Sequence, residues 1–223
     1  VLVHGAFADG SSWNKVIPIL EAHGAHVVAI QNSLKSLKED ADSAERAIDQ
    51  QQGPVVLVGH SCREVVISEA GNNPKVKALV YIAALAPESG QSVNDILRGK
   101  PAPSWASQLR KDAAGYLTLS SSAIVNDFAQ DLPATESKLI ADTQGPWYYA
   151  ALDDKVRNAA WQSKPSTFLV TTKDHMIDPQ LQEAMARQIG ATASHADASH
   201  AVLLSQPTVV ADAIISAARK VWP

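Results

Sequence analysis

Residues Val55-Val56-Leu57-Val58-Gly59-His60-Ser61-Cys62-Arg63-Glu64-Val65-Val66 restrict the fold more than any other stretch of the chain. The apolar, largely β-branched run at its start does not alternate with polar residues, so the strand it forms is buried on both faces. Strands of that kind lie inside parallel sheets, because the helical crossovers between parallel strands cover both sides. The run ends in Gly59, and Val65, Val66, Glu69 and Ala70 suit a helix. Ser61 therefore stands at the apex of a strand, a sharp turn and a helix.

The flanking sequence repeats that rhythm. Val1–His4 reads as an apolar strand entering a loop with Gly5, Asp9 and Gly10. Ser11 or Ser12 can cap a helix with Trp13, Val16, Ile17 and Leu20 on one face, which Pro18 should kink. Gly24 ends it, and residues 26–30 read as the next strand. A helix with Ala41, Ala44 and Ile48 inward follows, stopped by Gly53-Pro54. After the Ser61 unit come a break at Gly71-Asn72-Asn73-Pro74 and a buried strand over residues 77–84. Strand-like residues 166–172, a helix over 180–189 and a weaker strand over 191–198 restore the pattern near the end. The closing helix, 208–221, carries Val209, Ala213, Ile214 and Ala217 on one face behind Pro207. This order predicts an α/β fold with a mostly parallel sheet and helices on both faces. Between Pro87 and Lys164 no strong strand signal stands out, and amphipathic stretches at 121–132 and 136–142 suggest an inserted helical cap. The expected division is a core of 1–86 and 165–223 with a cap of 87–164.

Composition narrows the partners. A formal net charge of −4 over 223 residues, with no basic cluster, argues against nucleic acid. No apolar run approaches membrane-spanning length. The single cysteine, Cys62, excludes an intrachain disulfide and a cysteine metal cluster. No Gly-x-Gly-x-x-Gly run implies a dinucleotide, and no histidine pair has metal-binding helical spacing, so no cofactor and no metal are expected. A cytoplasmic location is expected, with a removed signal peptide as the alternative, and the oligomeric state stays open.

The Gly59-His60-Ser61-Cys62 turn resembles the nucleophile elbow, G-x-S-x-G, of the α/β-hydrolase family. His4-Gly5-Ala6-Phe7 is similar to that family's His-Gly-x-x loop. The resemblance spans nearly the whole chain and is nearest to small bacterial esterase-type members related to plant methylesterases and hydroxynitrile lyases. It implies an α/β-hydrolase fold and a serine nucleophile, followed in chain order by an acid and a histidine, each after a strand. Ser61 is then the nucleophile, Asp174 the acid and His200 the base. Asp178 and Glu88 are alternatives for the acid, and His175 and His195 for the base. The resemblance assigns the oxyanion donors to the backbone N–H of Cys62 and of Ala6, with Phe7 the alternative to Ala6. His60 is expected to pack under the turn. Phe7, Arg63 and Trp147 are the candidate substrate contacts, and Trp105, Tyr148, Tyr149 and Trp161 are further pocket walls. The implied partner is a small-molecule carboxylic ester, cleaved through an acyl-serine. Hydroxynitrile lyases carry a lysine close behind the histidine, whereas Ala201-Val202-Leu203-Leu204 stand here.

Arg63 and Glu64 occupy positions where that family usually has two glycines. Arg63 can snorkel to solvent, distort the turn and impair activity, or point into the pocket toward an anionic group. Glu64 suits the positive N-terminal end of the following helix. A ligand-binding protein without catalysis and a hydroxynitrile-lyase-like activity are the alternatives to ester hydrolysis.

Overall fold

The computed structural model describes residues 1–222; the side chain of Arg63 and residue 223 lie outside the described residues. Five strands form a parallel sheet: β1 (Leu2–Val3), β2 (Val55–His60), β3 (Val76–Ile82), and, after the inserted segment with its own strands β4 (Leu109–Lys111), β5 (Tyr116–Leu119) and β6 (Trp147–Tyr148), β7 (Ser166–Thr171) and β8 (Thr192–Ala196). Their order is β1-β2-β3-β7-β8. Side chains alternate across the sheet with the period of two that strands impose. Val3, Leu57, Leu79, Tyr81, Phe168 and Val170 meet the helices Leu37–Asp49, Val65–Ala70 and Pro179–Gln188 on one face. Leu2, Val58, Val80, Ile82 and Leu169 meet the helices Ile17–Ala22 and Pro207–Val221 on the other. Both faces of β2, β3 and β7 are thus largely buried, which is why these strands read as apolar runs, whereas the edge strand β8 is exposed except at Ala196.

Helix ends follow local chemistry. The Ser36 hydroxyl accepts the Glu39 N–H, opening Leu37–Asp49 with acidic residues in its first turn. Asp178 caps Pro179–Gln188 through the Gln180 N–H, which removes it as a free acid.

Three expectations need correction. The helix expected across Ser11–Leu20 is two pieces, Gly10–Trp13 and Ile17–Ala22, and Pro18 sits in the first turn of the second, where its missing N–H costs nothing. The strand expected at 26–30 shrinks to a single parallel bridge between Leu2 and Ala29, because β1 offers it only a short edge. The inserted segment is also not all helical: β4, β5 and β6 form a small antiparallel sheet beside the helices Val93–Leu97 and Ala134–Thr143. Asp112 turns the chain between β4 and β5 by accepting the N–H groups of Ala114 and Tyr116, and Gly115 takes φ +92°. That aspartate-to-glycine turn was the overlooked hairpin signal.

Every loop leaving the carboxyl end of β1, β2, β3, β7 and β8 opens toward the inserted segment. A crevice outside the carboxyl ends of parallel strands is where such sheets hold ligands.

Candidate active site

β2 delivers Ser61 one residue past its end, with φ +73°. Holding a non-glycine residue in the left-handed region costs on the order of 1–3 kcal/mol, so the surrounding packing must enforce the turn. Glycines make room for it. A Cβ on Gly59 would lie 2.6 Å from Glu64 Cγ and 3.0 Å from Ile67 Cγ2, and one on Gly5 would lie 2.6 Å from Ser61 Cβ. The His4–Phe7 loop after β1 therefore touches the serine turn directly, which a mere strand-ending turn would not require.

His200, four residues beyond β8, places Nε2 2.8 Å from Ser61 Oγ. Its Nδ1 lies 2.8 Å from Asp174 Oδ2, three residues beyond β7. All three residues are buried. Asp174 Oδ2 also accepts from the Thr171 hydroxyl (2.8 Å) and Gln182 Nε2 (2.9 Å). Its Oδ1 accepts the N–H groups of Met176 (2.7 Å) and Ile177 (3.0 Å). Burial alone would raise this carboxyl, but the neighbouring His200 and the bonds from His200, Ile177 and Thr171 hold it below its ordinary value. An ionised Asp174 accepts a hydrogen bond from the Nδ1–H of His200, which fixes the proton there and leaves Nε2 as acceptor for the serine hydroxyl.

Two rings support the imidazole. Phe128 meets it edge-on, with centroids 4.9 Å apart. His60 lies 4.7 Å away on another side and donates its Nε2 proton to the His200 carbonyl at 2.8 Å. Burial first, and then repulsion from His200, lower the His60 pKa to about 3, so His60 is a neutral strut. The remaining rivals do not reach Ser61: His195 is exposed and pairs with Glu183, and exposed His175, at the cavity wall, faces Asn126 and Asp127. Gln182 and Phe128 escaped the sequence reading, since a fully buried glutamine on a helix and an aromatic in an insertion carry no local signal.

The Cys62 sulfur lies 3.8 Å from Ser61 Oγ, beside the serine turn. Burial pushes that thiol up to about 12, so Cys62 is a packing residue at neutral pH.

Glu64 departs from expectation. It is fully buried instead of facing the helix N-terminus, and its Oε1 accepts the Ile82 N–H at the end of β3 at 3.2 Å. Burial raises its carboxyl well above the usual range, against the bonds from the Ile82 and Leu85 backbone. Burial thus favours its protonated form, and the carboxyl ties the serine turn to the exit of β3. The Arg63 side chain, named as a candidate substrate contact, lies outside the described residues.

A cavity of about 1050 Å³ opens over Ser61, Asp174 and His200. Phe7, Leu85, Trp105, Phe128, Trp147, Met176 and Leu181 give it a mainly apolar wall. Phe7 and Trp147 meet edge-on at 5.9 Å across the core and the inserted segment. Trp161 is instead packed against the core cluster and bonded to the Pro87 carbonyl, and Tyr148 and Tyr149 line up with Tyr116 and Lys111 away from the cavity. Among the described residues no group of three or more His, Cys, Asp or Glu is placed to hold a metal ion, and no helix is long and apolar enough to cross a membrane.

Comparison with known proteins agrees with this architecture. A probable hydrolase, R7, of Phoma sp. is 24% identical over 96% of this chain and 95% of its own length. Salicylic acid-binding protein 2 of Nicotiana tabacum is 30% identical over 47% of this chain and 48% of its own. The crystal structure of polyneuridine aldehyde esterase superposes with a TM-score of 0.85 at 18% identity, covering 96% of both chains. The model of the alpha/beta hydrolase family matches residues 1–213. With the parallel sheet, the serine turn and this match in agreement along the chain, the protein belongs to the alpha/beta hydrolase family.

Proposed function

We propose that the protein is a serine hydrolase that cleaves a carboxylic ester with a sizeable apolar group through an acyl-Ser61 intermediate. One observation carries the reading: Ser61 Oγ, His200 and Asp174 form an unbroken relay of two 2.8 Å hydrogen bonds at the floor of the cavity. Serine is a weak nucleophile until a base removes its proton as it attacks. His200 Nε2 takes that proton while Ser61 Oγ bonds to the ester carbonyl carbon. The carbonyl oxygen becomes an anion, which the Ala6 and Cys62 N–H groups stabilise. The tetrahedral adduct collapses, breaking the bond to the alcohol, which leaves with the proton from His200. Water then attacks the acyl-serine with His200 again as base, releasing the acid. Asp174 keeps the imidazole in the required tautomer and stabilises its charged form.

The apolar wall and about 1050 Å³ of space favour a bulky, uncharged acyl or alcohol group. Residues 87–164 serve as the cap that shapes this space over the core of 1–86 and 165–223. The esterase activity named for the structural relative polyneuridine aldehyde esterase accords with the same chemistry. Arg63 and Glu64 do not displace the serine, whose hydroxyl stays within hydrogen-bond reach of the base, which favours an active over an impaired enzyme.

A fluorophosphonate probe tests the reading. The folded protein is expected to be labelled once, at Ser61, with concurrent loss of p-nitrophenyl ester hydrolysis, and Ser61→Ala is expected to abolish both. A folded wild-type protein that takes up no probe would sink the proposal.

A further inference from the structure

We infer that residues 128–131 of the inserted segment form a clasp that positions the histidine, with Asp131 as its anchoring carboxylate and a positioning residue. This rests on the assignment of His200 as base.

After β8 ends at Ala196, the loop carrying His200 has little strand pairing left to fix it. The core ties it through the Lys173 N–H on the Ala198 carbonyl (3.1 Å) and His60 on the His200 carbonyl (2.8 Å), and the inserted segment supplies the further constraints. Asp131 grips Ser199 at two points, accepting its N–H at Oδ2 (2.8 Å) and its hydroxyl at Oδ1. The Ser199 oxygen accepts in turn from the Ala201 N–H at 3.1 Å. That N–H is shared with the Phe128 carbonyl at 3.0 Å, so residues on both sides of His200 are tied to the same short segment. The Phe128 ring rests edge-on against the imidazole. Gln130 completes the arrangement by donating from Nε2 to the Lys173 carbonyl at 2.6 Å, directly before Asp174.

The local backbone explains how the clasp reaches. Residues Ile124–Phe128 form a π-helical turn, closed by the Ala129 N–H on the Ile124 carbonyl at 2.9 Å. Such widened turns carry one extra residue and recur at functional sites. The turn ends the helix at Phe128, leaving its carbonyl for Ala201. Ser199 and His200 are fully buried, whereas Asp131 is exposed on the outer side and forms no part of the cavity wall. Asp131 can therefore act on the reaction only through the position of His200. A carboxylate accepting two bonds from one residue is a strong and directional tether.

The signature of a positioning role is a loss of turnover without loss of binding. Asp131→Ala and Ser199→Ala are each expected to lower kcat for a p-nitrophenyl ester, and the rate of fluorophosphonate labelling, by roughly 10- to 100-fold, with KM changed less than about twofold. Asp131→Asn, which keeps one acceptor oxygen, should fall between Asp131→Ala and the wild type. Because the two residues act through one tether, the double variant should lose little more than the worse single one. Folded variants with wild-type kcat and labelling rate, or a double variant with fully additive losses, would overturn the clasp. Should Asp131→Ala not fold, the smaller Ser199→Ala change decides the question.

The proton resonance of His200 Nδ1–H gives a reading independent of activity. It is expected downfield and sharp in the wild type and broadened in both single variants. An unchanged resonance overturns the clasp even in a protein that hydrolyses no ester, whereas failure of the wild type to take up the probe overturns only the hydrolase reading.

Discussion

Glu64 offers a quantitative test, because a buried, protonated glutamate leaves a distinct mark on stability as a function of pH. Its carboxyl is raised well above the ordinary value of 4.5 by burial, so at pH values in between the folded chain holds a proton there that the unfolded chain has released. The stabilisation linked to that proton is complete below the unfolded pKa and is lost as pH rises toward the folded one. One proton of difference corresponds to a slope of about 1.4 kcal/mol per pH unit. His60 opposes it: with a folded pKa of about 3 against 6.5, it gains stability as pH rises through that window. The wild-type curve alone would thus hide Glu64, whereas a difference between two variants cancels the common groups. Glu64→Gln keeps the acceptor for the Ile82 N–H and the volume beside Gly59. Its stability is expected to match the wild type within about 1 kcal/mol at about pH 3, where Glu64 is protonated in both states. Above about pH 5.5 the variant should gain about 1.4 kcal/mol on the wild type for each pH unit, until the folded pKa is passed. Urea unfolding followed by circular dichroism at a series of pH values, with unchanged m, measures that difference. A difference that stays flat would mean that Glu64 is ionised in the folded chain, and the desolvation argument would fail.

Three further outcomes follow from the site. Asp174→Asn is expected to fold normally but lower kcat by roughly 10⁴-fold, because an amide in place of the carboxylate favours the wrong imidazole tautomer; ester kinetics alongside thermal melting check this, and a loss below about tenfold would refute it. Gly5→Ala places a Cβ 2.6 Å from Ser61 Cβ and 3.1 Å from the His60 carbonyl. It should destabilise the fold by about 1–3 kcal/mol and slow probe labelling of Ser61, and wild-type labelling with unchanged stability would contradict the close approach of the two loops. The Cys62 thiol, pushed up to about 12, should react with iodoacetamide near pH 8 on the order of 10³-fold more slowly than an ordinary accessible cysteine. Alkylation as fast as glutathione's would place Cys62 in a different environment.

Much of this architecture was legible without coordinates because it depends on local pattern. The unbroken apolar runs at 55–58, 77–84 and 166–172 mark strands covered on both faces, and the parallel sheet follows from them. The resemblance to the α/β-hydrolase family singled out Ser61, Asp174 and His200, each just beyond a strand, although β8 before His200 is small-residue and largely exposed. The turn at Asp112–Gly115 was also readable in principle, but the strands it joins are short and half exposed, and their periodicity is weak.

Other features depend on groups far apart in sequence. Glu64 looks like a helix-end acid by its neighbours, and only the closeness of Gly59, Ile67 and the end of β3 makes it a buried neutral one. Gln182 reaches Asp174 because its helix packs back onto β7, and Asp131 meets Ser199 across 68 positions of chain. The sequence by itself determined the layered sheet, the strand ends and the chemical types gathered there, because backbone geometry and burial act over a few residues. Protonation states, the shape of the cavity and the tethering of His200 were decided only by the tertiary structure, because solvent exclusion and hydrogen-bond partners are properties of the space the folded chain encloses.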